Sequence, residues 1–193
     1  DYEGEYGLIM CFSDPKQNFR KEILSTYKGN RAGKLKPVCY GAVRQWVEDR
    51  YNCVSYPTLE ADDCVGLLAD KHKGHEVHIS GDKDFKTISG VFFDFLHDEW
   101  FEISEEQAYK NFLAQVMIGD AADNYKGCPG IGPKTADKVL EKYGVVWKTV
   151  VDQFKKAGLS EGEALQQARV AHILNKEEEY DVCKYKVTLW NPN

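Results

Sequence analysis

Six cysteines occur in the 193 residues, yet none forms a C-x-x-C pair and none stands at zinc-finger spacing with a histidine. Cys11, Cys39, Cys53, Cys64, Cys128 and Cys183 are scattered, which argues against a disulfide-stapled secreted frame and a structural zinc site. The pattern suits reduced thiols in a cytoplasmic protein. No apolar run approaches the roughly 20 residues a membrane span needs, and no signal peptide opens the chain, so no membrane partner is expected. Internal repeats, low-complexity tracts and a D-x-D-x-D-G calcium loop are missing as well. The first residue is Asp1 rather than Met, so the natural N-terminus is expected to lie upstream. What is present is the composition of an ordinary globular chain, 42% hydrophobic and 29% charged, long enough for one well-packed domain.

The formal charge of −6 speaks against a nucleic-acid partner, but its distribution does not. Between Pro15 and Arg44 lie Lys16, Arg20, Lys21, Lys28, Arg31, Lys34, Lys36 and Arg44 against the single acid Glu22, a net +7, so the remainder carries −13. Such segregation suits a basic surface that gathers phosphates beside an acidic site that gathers metal. For any single lysine, a solvated loop is the competing reading.

Leu8–Phe12 is a short apolar run that predicts a buried strand ending at Ser13-Asp14. A helix is expected over 18–26, then an irregular, mobile stretch through YKGNRAGKLKP, then a helix from Pro37 towards Asp49 with Val43, Trp46 and Val47 as its apolar stripe. Residues 53–56 read as a second strand, 59–72 as a helix, 76–80 as a third strand, 91–96 as a fourth, and 100–103 as an edge strand. Phe92, Phe93 and Phe95 are expected in the core. Strands alternating with helices in this way predict an α/β fold with a mainly parallel central sheet flanked by helices. From Ser104 onward the chain reads as helical, with a Gly/Pro-rich turn at 127–133 and Trp190 packing the last segment back on the body. A boundary is expected near Gly119, dividing an α/β core (1–118) from a helical region (119–193) packed upon it.

The acids are placed pointedly. Glu60, Asp62 and Asp63 (EADD) open a helix after a strand, and Glu60 and Asp63 are three apart, so a shared helix face is expected. Asp82 and Asp84 (SGDKDF) follow the third strand and point the same way in extended chain. Asp120 and Asp123 (GDAADN) are again three apart, and Asp14 closes the first strand. Sites in open parallel sheets form outside the carboxyl ends of strands, so these groups would converge on one rim. Carboxylates that close repel unless a cation joins them, and hard divalent ions with oxygen ligands, Mg²⁺ above all or Mn²⁺, resolve the conflict. Two such ions about 4 Å apart hydrolyse phosphodiesters in line. Each pair alone is as well explained by helix capping or turn chemistry; three pairs at element ends favour metal. His72, His75, His78, His97 and His172 show no metal spacing.

Gly127-Cys-Pro-Gly-Ile-Gly-Pro-Lys-Thr-Ala136 has the glycines and following helix of a helix–hairpin–helix element. Gly130 and Gly132 would admit a phosphate close to backbone N–H groups, the helix from Pro133 offers its positive end, and Lys134 and Thr135 add a charge and a hydroxyl. Ala136 is small where the helices cross, with Val139, Leu140 and Tyr143 as the buried stripe. Such a turn reads DNA backbone and not sequence. The competing reading is an ordinary Gly-Pro helical hairpin.

In order, LIMCFSD, YKGNR, LEADD, SGDKDF, IGDAADN and GCPGIGPKTA resemble the 5′-nuclease family of flap endonucleases, polymerase I 5′-nuclease domains and phage 5′–3′ exonucleases, over about two thirds of the chain. The ending QQARVAHILNKEEEYDVCKYKVTLWNP is most similar to short phage exonucleases. The resemblance implies a PIN-like 5′-nuclease fold and a monomer that cuts DNA at 5′ ends or flaps, or an RNA–DNA hybrid, in phage-type replication or recombination in the host cytoplasm. It implies Asp14, Glu60, Asp62, Asp63, Asp82, Asp84, Asp120 and Asp123 as ligands of two ions, direct or through water. Lys28 and Arg31 would engage the scissile phosphate, with Lys34 and Lys36 in the same basic arch, and Tyr27 would stack on a base. At Gly130–Lys134 it implies a duplex-binding turn with a bridging K⁺. Family members also carry an Asp on a preceding strand; nothing before Leu8 supplies that strand, and Asp1 and Glu3 are poor substitutes. Two other readings stand beside this one: a structure-specific DNA-binding protein without catalysis, and a PIN-like ribonuclease, which the Gly130–Ala136 turn weighs against.

Overall fold

The computed structural model describes residues 7–192 apart from Ala32 and Lys34, so the expected contributions of Lys34, Asp1 and Glu3 lie outside the described residues. The α/β architecture is present, but its sheet is divided. Strand β1 (Ile9–Cys11) pairs in parallel with β2 (Asn52–Val54). Strand β3 (Val77–Ser80) pairs in parallel with β4 (Gly90–Asp94), which pairs antiparallel with β5 (Glu99–Ile103). Among the described residues these are two separate sheets, and a ribbon of β6 (Tyr180–Asp181) and β7 (Lys186–Val187) is a third. An open cleft of about 2800 Å³ lies between β1 and β3, with Leu8, Ile9, Val65, Leu68, Ile79 and Ile88 on its walls.

What joins the two sheets is a helix. In chain order the helices are α1 (Arg20–Ile23), α2 (Tyr40–Glu48), α3 (Ala61–Lys71), α4 (Glu105–Ile118), α5 (Pro133–Tyr143), α6 (Trp147–Lys156) and α7 (Glu161–Ala171). Helix α3 packs Cys64 and Leu67 with Phe19, Leu59 and Leu174 on one side, and Ala69 with Phe85, Ile88 and Phe92 on the other. The largest core runs through α4 to α7: Leu113, Val116, Met117, Leu140, Val150 and Phe154 are all buried in it, and so is Tyr27. Each such side chain contributes about 1.5–3 kcal/mol of burial free energy. This core draws on both sides of Gly119. No helix among the described residues is long and apolar enough to cross a membrane.

Several local expectations are corrected. The helix expected over 18–26 is only the four residues of α1, ended by the extended backbone of Leu24. Helix α2 begins at Tyr40, and its apolar stripe is not buried: Val43 and Trp46 stay exposed, with Arg50 stacked on the Trp46 ring. Phe92 is fully buried, whereas Phe95, in the turn after β4, is exposed. Tyr143 is exposed as well, so the buried face of α5 is Ala136 and Leu140, with Val139 partly covered. The stretch expected to be mobile instead holds a 3-10 turn at Gly29–Arg31, docked on the 120–124 loop.

Candidate active site

Four segments meet at the site: Tyr27–Arg31, the start of α3, the turn after β3, and the loop after α4. The last is shaped by two glycines. Gly119 (φ +74°) and Gly127 (φ +63°) bring the two ends of the loop so close that a Cβ on either would stand about 2.4 Å from the other's backbone. Only glycine fits both constraints. Between them Asp120 and Tyr125 exchange two backbone hydrogen bonds, which closes the loop and holds Asp120 and Asp123 on it, both largely covered.

The YKGNR segment grips that loop. The Lys28 N–H donates to the Asp123 carbonyl at 2.8 Å, Asn30 donates to the carbonyls of Ala121 and Ala122, and Asn124 donates to that of Thr26. Tyr27, expected to stack on a base, is instead 3% exposed, with its hydroxyl 2.8 Å from Glu60 and 3.0 Å from Asp123. The Lys28 ammonium donates to Glu60 and lies 3.5 Å from Asp123, and Arg31 donates to Asp123 at 2.6 Å. Burial disfavours the charge on Glu60, but Arg20 and Lys28 beside it hold the carboxyl below its usual range. Lys83 does the same for Asp120 against burial, helped by the Ala122 N–H.

Asp62 and Asp84 lack such partners. Burial, then Glu60, Asp63 and Asp82, push Asp62 up to about 7. Burial, then Asp82, with Asp120 and Asp123 further off, raise Asp84 to about 6, against the pull of Lys83. Asp82 caps the turn after β3, accepting the Asp84 N–H at 3.0 Å. Thus Glu60, Asp62, Asp82, Asp84, Asp120 and Asp123 share one electrostatic field, although among the described residues no three acid, histidine or cysteine side chains converge tightly enough to hold an ion. An all-oxygen donor set with two carboxyls lifted towards neutrality by burial, and then by neighbouring acids, fits a hard divalent cation.

Two of the eight expected ligands point elsewhere. Asp63 is wholly buried and bidentate to Arg20 at 2.7 Å through both oxygens, which also accept the N–H groups of Glu60 and Leu174. Glu60 precedes the helix with an extended backbone, so the three-residue spacing does not place it on Asp63's face. Asp14 is engaged by the N–H groups of Thr58 and Lys16, which lower its pKa. Lys36 lies over the Tyr40 ring, 4.1 Å from its centroid.

The turn before α5 has the expected ingredients. Gly130 is exposed at φ +80°, Gly132 caps α5, Pro133 occupies its first turn, Lys134 and Thr135 are exposed, and Ala136 is fully buried. Sequence reasoning missed Arg20 as a structural residue and Lys83 as a partner of Asp120. Lys83 sits inside the SGDKDF motif and could have been weighed with it. Nothing local marks Arg20 as buried, since the carbonyls it binds, those of Val170 and His172, lie about 150 residues away in sequence.

Residues 1–112 match the family model described as the 5′–3′ exonuclease N-terminal resolvase-like domain. The exodeoxyribonuclease of Enterobacteria phage T3 is 31% identical over 225 aligned residues, covering 96% of this chain and 73% of that protein. The exonuclease of Escherichia phage T7 is 30% identical over 225, covering 96% and 74%. Among solved structures, the zinc-bound 5′-exonuclease of phage T5 superposes with a TM-score of 0.69 at 20% identity over 87% of this chain and 74% of that one. A phage T5 flap endonuclease in complex with DNA and metal ions gives 0.70 at 18% identity, with 87% and 74% covered. At these identities the structures speak for the fold alone.

Proposed function

The chain belongs to the 5′–3′ exonuclease family, and from that premise we propose that it hydrolyses DNA phosphodiesters at 5′ ends or flaps with divalent metal. The observation that carries the proposal is the Tyr27–Arg31 clamp on Glu60 and Asp123, acids of two separate elements, with Asp62, Asp82, Asp84 and Asp120 in the same electrostatic field.

Glu60, Asp62, Asp82, Asp84, Asp120 and Asp123 would hold the ions, Mg²⁺ or Mn²⁺. When bound, a pair of such ions supplies an activated water and steadies the leaving oxygen. The chain's own residues do the rest. Lys28 and Arg31 stand where a phosphate oxygen can take the place of a carboxylate as their acceptor. Tyr27 fixes Glu60 relative to Asp123, holding acids from two elements in one frame. Arg20 and Asp63 anchor the start of α3, and through it Glu60 and Asp62. Gly130, Gly132, Lys134 and Thr135 offer backbone donors and a charge to duplex phosphates, independent of sequence and, by the same token, open to an RNA–DNA hybrid. A K⁺ ion bridging this turn and a phosphate belongs to the same proposal.

The test is Asp82→Asn on a 5′-flap duplex with Mn²⁺. Cleavage should fall by about 100-fold or more, while affinity for the flap stays within about threefold. Normal cleavage by the variant would remove the metal assignment; loss of binding without loss of turnover would point to a role in substrate contact instead.

A further inference from the structure

We propose that Lys28 occupies the place of a divalent cation in the metal-free protein, and that metal loading releases it to the substrate phosphate. The idea rests on the metal-dependent reading above and goes beyond it, because it assigns an order of events: metal first, phosphate grip second.

The geometry is specific to Lys28. Its ammonium touches Glu60 and stands 3.5 Å from Asp123, so one charge serves acids from two elements. Its side chain is 18% exposed, whereas Arg31 and Lys83 are 49% and 74% exposed and pair with one acid each, and the buried Arg20, 3.4 Å from Glu60, is held in place by Asp63 and the Val170 and His172 carbonyls. The backbone is fixed too: Lys28 adopts φ +52°, rare for a residue with a side chain, and its N–H is bonded to the Asp123 carbonyl. The loop thus fixes the backbone from which the Lys28 side chain reaches Glu60 and Asp123.

A carboxylate oxygen bound to a divalent ion has little left for an ammonium, and the ion's two charges repel Lys28 at ion-pair distance. With Glu60 and Asp123 taken, the best remaining acceptor for Lys28 is the incoming phosphate. Before metal binds, Lys28 is sequestered and contributes little to holding DNA. Metal binding and phosphate binding through Lys28 therefore assist each other, and by linkage the assistance is equal in both directions.

Titration calorimetry of Mn²⁺ into the intact protein at neutral pH, wild type against Lys28→Met, tests the exchange. Methionine keeps the length and removes the charge. The variant should bind Mn²⁺ about tenfold more tightly, because no internal cation has to be displaced. Lys73→Met, at an exposed lysine paired with Glu105, should change nothing. Fluorescence anisotropy with a 5′-flap duplex supplies the second arm. In EDTA, Lys28→Met should bind DNA like wild type; in Ca²⁺ it should bind about tenfold more weakly. Equal or weaker Mn²⁺ binding by the variant overturns the exchange and leaves the metal reading standing. No Mn²⁺ uptake by wild type overturns both. If Lys28→Met melts early in EDTA, Lys28→Gln repeats both arms with a neutral group that can still donate to Glu60.

Discussion

At the scale of single residues, the acids divide by what faces them. Glu60 and Asp120 have a cation in contact and sit below their usual pKa, whereas Asp62 and Asp84 are covered and face other acids. The sign of the consequence is fixed. Asp62 titrates near 3.8 in an unfolded chain and near 7 when folded, so between those values the folded state holds a proton the unfolded state has released. Stability therefore falls as pH rises from about 4 to about 7, and the penalty is fully present above that window. In EDTA, thermal melts across this range should show the decline. Asp62→Asn should flatten it and raise stability above neutral pH, by up to about 4 kcal/mol. An unchanged pH profile in Asp62→Asn would mean that the burden is carried elsewhere. The spacing of EADD shows in sequence that acids gather here. It does not show that neighbouring Asp62 and Asp63 face apart, one to the site and one to the core, because that depends on where α3 begins.

At the scale of elements, the short apolar runs and their turn residues marked the strands to within a few residues: 76–80 was expected and Val77–Ser80 is found, 100–103 was expected and Glu99–Ile103 is found. What was not legible is partnership across the chain. A strand's pattern shows that it is buried but not which edge it shares, so the division between β1–β2 and β3–β4–β5 could not be read. Nor could the docking of Tyr27–Arg31 on the 120–124 loop, which depends on contacts about 90 residues apart. The firmest of these long-range ties is Arg20 with Asp63, which links α1 to the start of α3 and to the end of α7 through the Val170 and His172 carbonyls. Removing Asp63 leaves the Arg20 guanidinium buried with only the longer contact to Glu60 as an ion pair. Asp63→Asn should cost about 3–5 kcal/mol in urea unfolding, far more than an exposed acid would. Asp152→Asn, at an exposed pair on α6, should leave the urea midpoint almost unchanged and serves as the comparison. Equal costs would show that the Arg20–Asp63 pair is not what fixes the start of α3.

At the scale of the whole molecule, the site and the helical region share a core through Tyr27. Tyr27 holds Glu60 and Asp123 with its hydroxyl, while its ring belongs to the same core as α4, α5, α6 and α7. The far end of the chain closes that core: the Trp190 ring meets Phe112 and Trp147 edge-on, each with centroids 5.1 Å apart, and Arg169 donates to the Trp190 carbonyl. A core shared by Tyr27 and the helical region, with α3 bridging the two smaller clusters, predicts a single cooperative transition, even though the sheets are split and a wide cleft lies between β1 and β3. Trp190→Ala removes aromatic packing that is partly solvent-covered and should cost about 2 kcal/mol. It is far from every acid of the site in sequence, yet it should lower the midpoint for loss of Mn²⁺ binding and the midpoint for loss of far-UV helical signal by the same amount. Coincident curves before and after the substitution are the expected result. If Trp190→Ala moved only the helical signal and left metal binding at its original midpoint, Tyr27 would not be coupling the site to the core, and the two halves of the chain would have to be treated as independent folding units.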